Sequence, residues 1–419
     1  MTQKNWFSLH HWAGFHLSLL LSFVLVTGTF ATISTDLDWL TNSAIRAEHQ
    51  ISDGQKLDWP ALLTRVNYHF PKTKIDSINR PQLPWHNVEV IARDIHGERF
   101  RIYLDAFDHR ITGEGLWLNW QRFFRQVHRH LMLPTQWGIT IVGLLGLAML
   151  LLFITSFYIY RHWWRYFFAF GRIKLSFNAS KTLVPGTTPR KKASTKRLFW
   201  AELHKLIGLW SLWLMFIISI TGTWYLAEKW GAGARYPKIE NTSNLVLLKD
   251  TTAPSSIALS KAVKYITNNH PHYVINKIRF VAGEQTIEID GQEHALLVRD
   301  RANKKVFDSL SGEYIGGREG DKLNWHLRIS EAADPLHFGT FSSWIYRYVW
   351  FVFGIALSFL SFSGIYMYFL RLRQTGKLKN VEETSALRIL WLKTHWVKWP
   401  SAALLIICAV LVFIDFVIG

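Results

Sequence analysis

The chain has 419 residues, enough for several folding units, and at 49% hydrophobic and 15% aromatic, with 21 Trp, it is too apolar for an ordinary soluble protein. Its formal charge of +18 does not mark a nucleic-acid face, because the cations lie beside apolar runs. The single cysteine, Cys408, excludes an intramolecular disulfide, a thiolate metal cluster and a covalent Cys-x-x-Cys-His haem attachment.

Taken in chain order, the pattern predicts an α-helical bundle of about five membrane helices in two parallel repeats, with two α+β modules between them. Residues 1–34 hold the first span, centred on Trp12 to Ile33. Its long apolar core, His-rich start and lack of a small-x-small site predict an uncleaved, continuous helix rather than a signal peptide. Residues 35–125 read as a first module, with helical spacing from Trp59 to Phe70 and alternating strands at Val88–Ala92 and Phe100–Leu104 around a Gly97 turn. Residues 126–160 hold a second span, and 161–199 a basic loop. In that loop Arg161, Arg165, Arg172, Lys174, Lys181, Arg190, Lys191, Lys192, Lys196 and Arg197 occur without one acid. A third span (200–227) leads to a second module (228–334), with a helix over Ile257–Asn268 and strands at Tyr273–Ile275, Thr286–Ile289 and Ala295–Val298. A fourth span (335–370), a second basic loop (371–394) and a fifth span (395–419) complete the chain. The positive-inside bias puts the basic loops and the N-terminus in the cytoplasm and both modules outside the membrane.

Histidines punctuate the spans, and the pattern occurs twice. His10, Gly14 and Thr27-Gly28-Thr29 match His204, Gly208 and Thr221-Gly222-Thr223 at identical spacing. Histidine at membrane depth is costly and marks function. Two histidines at equivalent places can face each other across a pseudo-two-fold axis, as a haem iron with two axial nitrogens requires. The plainer alternative for each is interfacial anchoring. Gly14 and Gly208, one turn along, leave room for a flat macrocycle or for close helix packing. His128 and His337 precede the second and fourth spans and form a candidate outer pair, one residue out of register, with His130 competing for the place of His128. The alternative there is a solvated loop histidine. His11, His16 and His395 are reserves for the inner site. Along a straight first helix His10 and Thr29 are about 28 Å apart, which places the two sites on opposite sides of the bilayer. Arg125 and Arg129 flank His128, and Arg347 follows His337; all three suit haem propionates, or lipid headgroups. Trp117, Trp120, Trp325 and Trp344 add aromatic surface near the outer site, and an interfacial belt accounts for most of them.

Other motifs carry a resemblance. Asp308-Ser309-Leu310-Ser311-Gly312-Glu313 resembles the closing turn of a PepSY domain, and Asp105-Ala106-Phe107-Asp108-His109 is a degenerate copy with Asp108-His109 in place of Ser-Gly. His-x-x-x-Gly with a downstream Thr-Gly, Val127-His128-Arg129-His130-Leu131 and Leu336-His337-Phe338-Gly339 resemble the helices of the PepSY-associated transmembrane family. The resemblance covers nearly all the chain to Arg371. It implies iron-regulated proteins of the bacterial inner membrane, among them ferric-siderophore reductases with two non-covalent haem b groups. On that basis the expected ligands are His10 with His204 and His128 with His337. The expected partners are a ferric siderophore, a quinol or a separate electron-donor protein, and the lipid bilayer.

The absence of a Gly-x-Gly-x-x-Gly after a strand leaves no visible dinucleotide unit, and without a P-loop the chain is no ATP-driven pump. The absence of His-Glu-x-x-His argues against a zinc protease. Two other readings stay open: a non-redox PepSY binding or regulatory membrane protein, and a siderophore or iron transporter built on repeated halves.

Overall fold

The computed structural model describes residues 2–52, 54–168, 178, 189–239, 255–281, 285–375 and 386–417. Arg172, Lys174 and Lys181 of the first basic loop, and Lys377 and Lys379 of the second, lie outside the described residues. The chain divides into two compact units. A helical unit takes Met1–Ile33, Phe124–Ala232 and Ile345–Gly419, and a sheet unit takes Ser34–Phe123 and Gly233–Trp344.

In the helical unit the apolar runs become α1 (Gln3–His16), α2 (Ser18–Thr32), α6 (Thr135–Ile159), α7 (Pro189–Ala227), α10 (Ile345–Gln374) and α12 (Lys398–Val417). Helices α3 (Ser34–Thr41), α4 (Trp59–His69), α5 (Trp120–His130), α8 (Ser256–Asn269), α9 (Trp325–Phe338) and α11 (Ala386–Lys393) complete the set used below. Four helices are long and apolar enough to cross a membrane: Thr135–Ile159, Ser194–Ala232, Ile345–Gln374 and Lys398–Asp415. The count is five if α1 and α2, bent by 70° at their junction, are one span.

That bend corrects the expected continuous helix over Trp12 to Ile33 and removes the straight 28 Å separation of its two ends. Leu17 stands between the halves at φ −90° and ψ −1°. At the end of α1 the Ser18 hydroxyl donates to the Phe15 carbonyl at 2.6 Å, beside the Leu17 backbone N–H.

Small residues set the helix crossings, because in lipid the gain comes from close backbone approach and satisfied hydroxyls rather than from hydrophobic exclusion. A Cβ on Gly146 of α6 would lie 3.2 Å from the backbone of Gly222 in α7. A Cβ on Gly354 of α10 would lie 2.8 Å from the Thr29 hydroxyl of α2. Ser22 and Ser361 join α2 to α10 at 2.6 Å, and Thr29 meets Ser358 at 3.3 Å. The Thr hydroxyls of both Thr-Gly-Thr motifs bond back to carbonyls one turn earlier: Thr27 to Phe23, Thr29 to Leu25, Thr221 to Ile217 and Thr223 to Ser219.

In the sheet unit the two stretches expected as separate modules contribute to one sheet. The described strands are β1 (Lys74–Asn79), β2 (Val88–Arg93), β3 (Arg99–Leu104), β4 (Ile111–Leu116), β5 (Val274–Val281), β6 (Thr286–Gln292), β7 (Asn303–Asp308) and β8 (Tyr314–Arg318). They form one antiparallel sheet in the order β4-β3-β2-β1-β5-β6-β7-β8. The join is β1 with β5, where Ile78 faces Ile278. Helices α4 and α8 cover it with Leu62, Leu63, Val66, Leu259, Ala262 and Ile266, all fully buried against Ile78, Val90, Ile102, Ile278, Ile287 and Phe307. Each such large side chain contributes roughly 1.5–3 kcal/mol on burial. Asp58 caps α4 through the Ala61 N–H (3.0 Å) and Ser255 caps α8 through Ala258 (3.3 Å).

The expected helices and the strands at Val88, Phe100 and Thr286 are present within a few residues. The strand expected at Tyr273–Ile275 starts at Val274, and Ala295–Val298 is loop, with Leu297 at φ 53°. In the closing turns, Asp308 Oδ1 accepts from Leu310 and Ser311, and Asp105 Oδ1 accepts from Phe107 and Asp108. Gly312 is left-handed at φ 74°, and His109 adopts φ 59° in the matching place, so the degenerate copy keeps the turn without its glycine.

Candidate functional site

The helical unit brings His10 and His204 within electrostatic reach of each other. His10 Nδ1 lies 2.8 Å from the hydroxyl of Thr155 on α6. His204 Nδ1 lies 2.7 Å from the hydroxyl of Ser363 on α10. Each hydroxyl also donates to a carbonyl of its own helix, Thr155 to Leu152 at 3.0 Å and Ser363 to Leu360 at 3.1 Å. Thr155 is nine residues after Gly146, and Ser363 is nine after Gly354, so the two arrangements use matching positions.

Aromatic pairs repeat the correspondence. Trp6 stacks on Tyr158 at 4.3 Å and 8°, while Trp200 meets Tyr366 edge-on at 5.1 Å. Trp6 and Trp200 precede their histidines by four residues and so share a helix face with them. The glycines one turn beyond the histidines do not mediate close packing. A Cβ on Gly14 or Gly208 would find Leu152 or Leu360 only at ordinary distance, 3.7 and 3.8 Å.

Among the described residues no hydrogen bond is made by Nε2 of His204, and the His10 ring is also within hydrogen-bond reach of the Leu152 carbonyl. With the proton on Nδ1, each ring keeps its lone pair on Nε2, the nitrogen a metal takes. Among the described residues no group of three or more His, Cys, Asp or Glu is placed to hold a metal ion. Two single imidazoles on separate helices do suit a group that brings four in-plane ligands of its own. The inner pair therefore fits a haem.

The reserves fall differently. His11 packs against Phe15 and Tyr368, with its Nε2 buried and unbonded. His16, at the helix break, bonds from Nδ1 to the Trp12 carbonyl at 2.9 Å within its own helix. The side chain of His395 lies outside the described residues.

His128 ends α5 inside the helical unit. Its Nδ1 is 2.9 Å from the Val24 carbonyl of α2. A carbonyl only accepts, so the proton is on Nδ1 here too. Gly28 makes this possible: a Cβ there would sit 2.6 Å from His128 Cε1. Leu131 and Met132, both left-handed (φ 54° and 59°), then turn the chain into α6. His130 lies over that turn, its backbone 2.1 Å from where a Cβ on Gly138 would be. His337 belongs to the sheet unit, near the end of α9 and two residues before the left-handed Gly339.

Of the arginines, Arg125 and Arg129 are exposed one turn apart on α5. Arg347 is engaged with the Thr32 carbonyl at the end of α2 (2.9 and 3.2 Å). In the sheet unit Trp117 is covered by the Arg122 guanidinium at 3.7 Å, Trp85 and Trp344 pack edge to face at 5.1 Å, and Trp325 is exposed.

Two buried carboxylates fasten the helices that carry His128 and His337. Asp38 on α3 accepts from the backbone N–H of Trp120 (2.7 Å) and Gln121 (3.1 Å) and from the Asn119 side chain (2.8 Å), in the first turn of α5. Burial pushes its pKa up to about 6, against the lowering effect of those N–H groups and of Arg101, and with Glu89 adding to the rise. Asp38 also lines a polar cavity of about 30 Å³ with Arg80, His86, Asn87 and Tyr103, room for one or two waters. On α9, Glu331 is fully buried and takes Arg299 (2.5 Å) and the Tyr236 hydroxyl. Burial alone would raise its pKa; the bonds from Arg299 and Tyr236 hold it below the ordinary carboxylate range.

Sequence reading had missed Thr155, Ser363 and Asp38. The hydroxyl pair was within reach of the offset between Gly146 and Gly354, and nothing in the local sequence singled out Asp38.

No curated protein matches the chain. The description of the PepSY-associated TM region matches residues 7–371. The chain therefore belongs to the family of the PepSY-associated TM region, a membrane-associated family, and its apolar helices and sheet are those of a membrane protein.

Proposed function

We propose that this protein is a b-type cytochrome of the bacterial inner membrane that passes electrons outward to a periplasmic ferric siderophore and so releases Fe(II). The observation that carries the reading is the inner pair: two membrane-depth histidines on separate helices, each with Nδ1 held by a hydroxyl. Family membership supports it, since residues 7–371 span both histidines. The acid-free basic loop between α6 and α7 supports a cytoplasmic N-terminus and a sheet unit on the far side of the membrane. On this reading the chain consists of two parallel repeats, each of two spans around a PepSY-like half of the sheet.

When bound, a haem supplies one-electron transfer. His10 and His204 would hold it and the apolar bundle would exclude water from it, and ligation and burial would set its potential. For a second, outer haem the sequence pairs His128 with His337; the tautomer of His128 fits such a role, and Arg125 and Arg129 are cations suited to propionates. A quinol or a separate protein donates the electrons. One electron reduces the ferric chelate, and the softer Fe(II) leaves hard oxygen ligands.

A second reading, transport, has the 70° break between α1 and α2 in its favour, since carriers use broken helices at their sites. One anaerobic experiment separates them. The purified protein is chemically reduced, freed of reductant, and mixed with a ferric hydroxamate siderophore and a ferrous trap. Reductase activity predicts reoxidised haem bands together with trapped Fe(II), both slowed in His337→Ala. Haem that stays reduced with every ferric chelate but is oxidised by a quinone makes the protein a quinone-linked carrier. Siderophore uptake into vesicles without Fe(II) release makes it a transporter.

A further inference from the structure

Resting on the haem reading above, we infer that Thr155 and Ser363 are positioning residues: they fix the proton of His10 and His204 on Nδ1 and thereby tune the potential of the haem that the Nε2 atoms hold.

A hydroxyl has one hydrogen and two acceptor sites. Thr155 Oγ1 lies 2.8 Å from His10 Nδ1 and 3.0 Å from the Leu152 carbonyl. Ser363 Oγ lies 2.7 Å from His204 Nδ1 and 3.1 Å from the Leu360 carbonyl. Two proton arrangements compete. If the hydroxyl donates to the ring, one hydrogen bond forms and the hydroxyl's own bond to the carbonyl is lost. If the hydroxyl donates to the carbonyl, its oxygen accepts from Nδ1–H, so two hydrogen bonds form and no donor is stranded. One additional bond in a buried site favours the second arrangement by about tenfold.

Back-bonding to a carbonyl is by itself the ordinary way for a membrane-depth hydroxyl to satisfy itself, and Thr27, Thr29, Thr221 and Thr223 do it too. Thr155 and Ser363 differ because each adds a ring nitrogen to the same geometry, at matching positions on α6 and α10. Different residue types, Thr and Ser, supply the same oxygen, so the shared property is the hydroxyl and not the side-chain shape.

A hydrogen bond from Nδ1–H makes Nε2 a stronger donor. A stronger donor stabilises Fe(III) over Fe(II) and lowers the potential. A neutral hydroxyl does this less than a carboxylate would, so the hydroxyls place the haem between an unassisted imidazole and a carboxylate-paired one. Both ligands carry the same device, so the two contributions add.

The test uses the full chain in detergent or nanodiscs. Thr155→Val and Ser363→Ala remove the hydroxyls, and Thr155→Ser and Ser363→Thr restore them. The readouts are haem content, the low-spin electron paramagnetic resonance signal and the midpoint potential from a redox titration. The expected result is a full complement of low-spin haem in which one midpoint moves upward in each single variant, moves further in the double variant, and returns in the conservative variants. Low-spin haem with unchanged midpoint and unchanged resonance signal in both hydroxyl-free variants overturns the inference. The tautomer is read separately from the 15N spectrum of histidine-labelled apoprotein. A protonated Nδ1 on both rings that is lost in Thr155→Val and Ser363→Ala supports the positioning role. Rings protonated on Nε2 in the unaltered apoprotein overturn it. A chain that binds no haem but shows the Nδ1 tautomer refutes the cofactor reading and the potential-tuning role together, and leaves the proton placement standing.

Discussion

Glycine 28 and glycine 222 occupy the same place in the two Thr-Gly-Thr motifs, yet they do different work. A Cβ on Gly28 would strike the His128 ring at 2.6 Å, whereas a Cβ on Gly222 would lie at an ordinary 3.7 Å from Gly146. Gly28→Ala is therefore expected to push the imidazole off the Val24 carbonyl and to cost about 1–3 kcal/mol through overpacking, while Gly222→Ala costs less. Thermal melts of the two variants check the ranking; equal stability would mean that the His128 ring moves aside freely. At this scale much was legible. His10 and His204 could be paired from spacing alone, because His-x-x-x-Gly and Thr-Gly-Thr repeat as letters. Their hydroxyl partners could not be paired by letters, since one is Thr and the other Ser and both sit in runs of apolar residues. What matches them is geometry across helices, which only the 208-residue offset between Gly146 and Gly354 encodes.

Among the elements, the helices were easier to read than the strands for a physical reason. Apolar runs of span length have few alternatives to a helix. β1 and β7 do not look like strands, because Lys-Ile-Asp-Ser-Ile-Asn and Asn-Lys-Lys-Val-Phe-Asp carry charge where a buried strand ordinarily has none. In the fold Lys305 is only 1% exposed and pairs with Glu319 at 3.5 Å, and Lys304 meets Glu288 at 2.5 Å. The charges are buried as pairs, so the alternation is hidden. The break at Leu17 was also illegible, since Phe15-His16-Leu17-Ser18 holds neither proline nor glycine. The mooring of α5 makes a pH prediction. The folded state holds the proton of Asp38 more tightly than the unfolded chain does, with a pKa of about 6 instead of about 4. Its contribution is fully present below about pH 4 and is lost as the pH rises through 6, a total of about 3 kcal/mol. Asp38→Asn, which cannot ionise, is expected to flatten that slope. Amide exchange of Trp120, Gln121 and Arg122 between pH 4.5 and 7 measures it, and an identical slope in the variant would assign the effect to another group.

For the whole molecule, the proposed electron transfer belongs to the helical unit. The central claim is that His10 and His204 hold a haem. The most direct measurement is the visible spectrum of the purified full-length protein, oxidised and reduced, beside His10→Ala and His204→Ala. The account predicts low-spin b-type bands, two haems per chain, and loss or conversion to high spin of the same single haem in either variant while the other persists. A protein that takes up no haem with every histidine in place, or that keeps both low-spin haems in both variants, would contradict it.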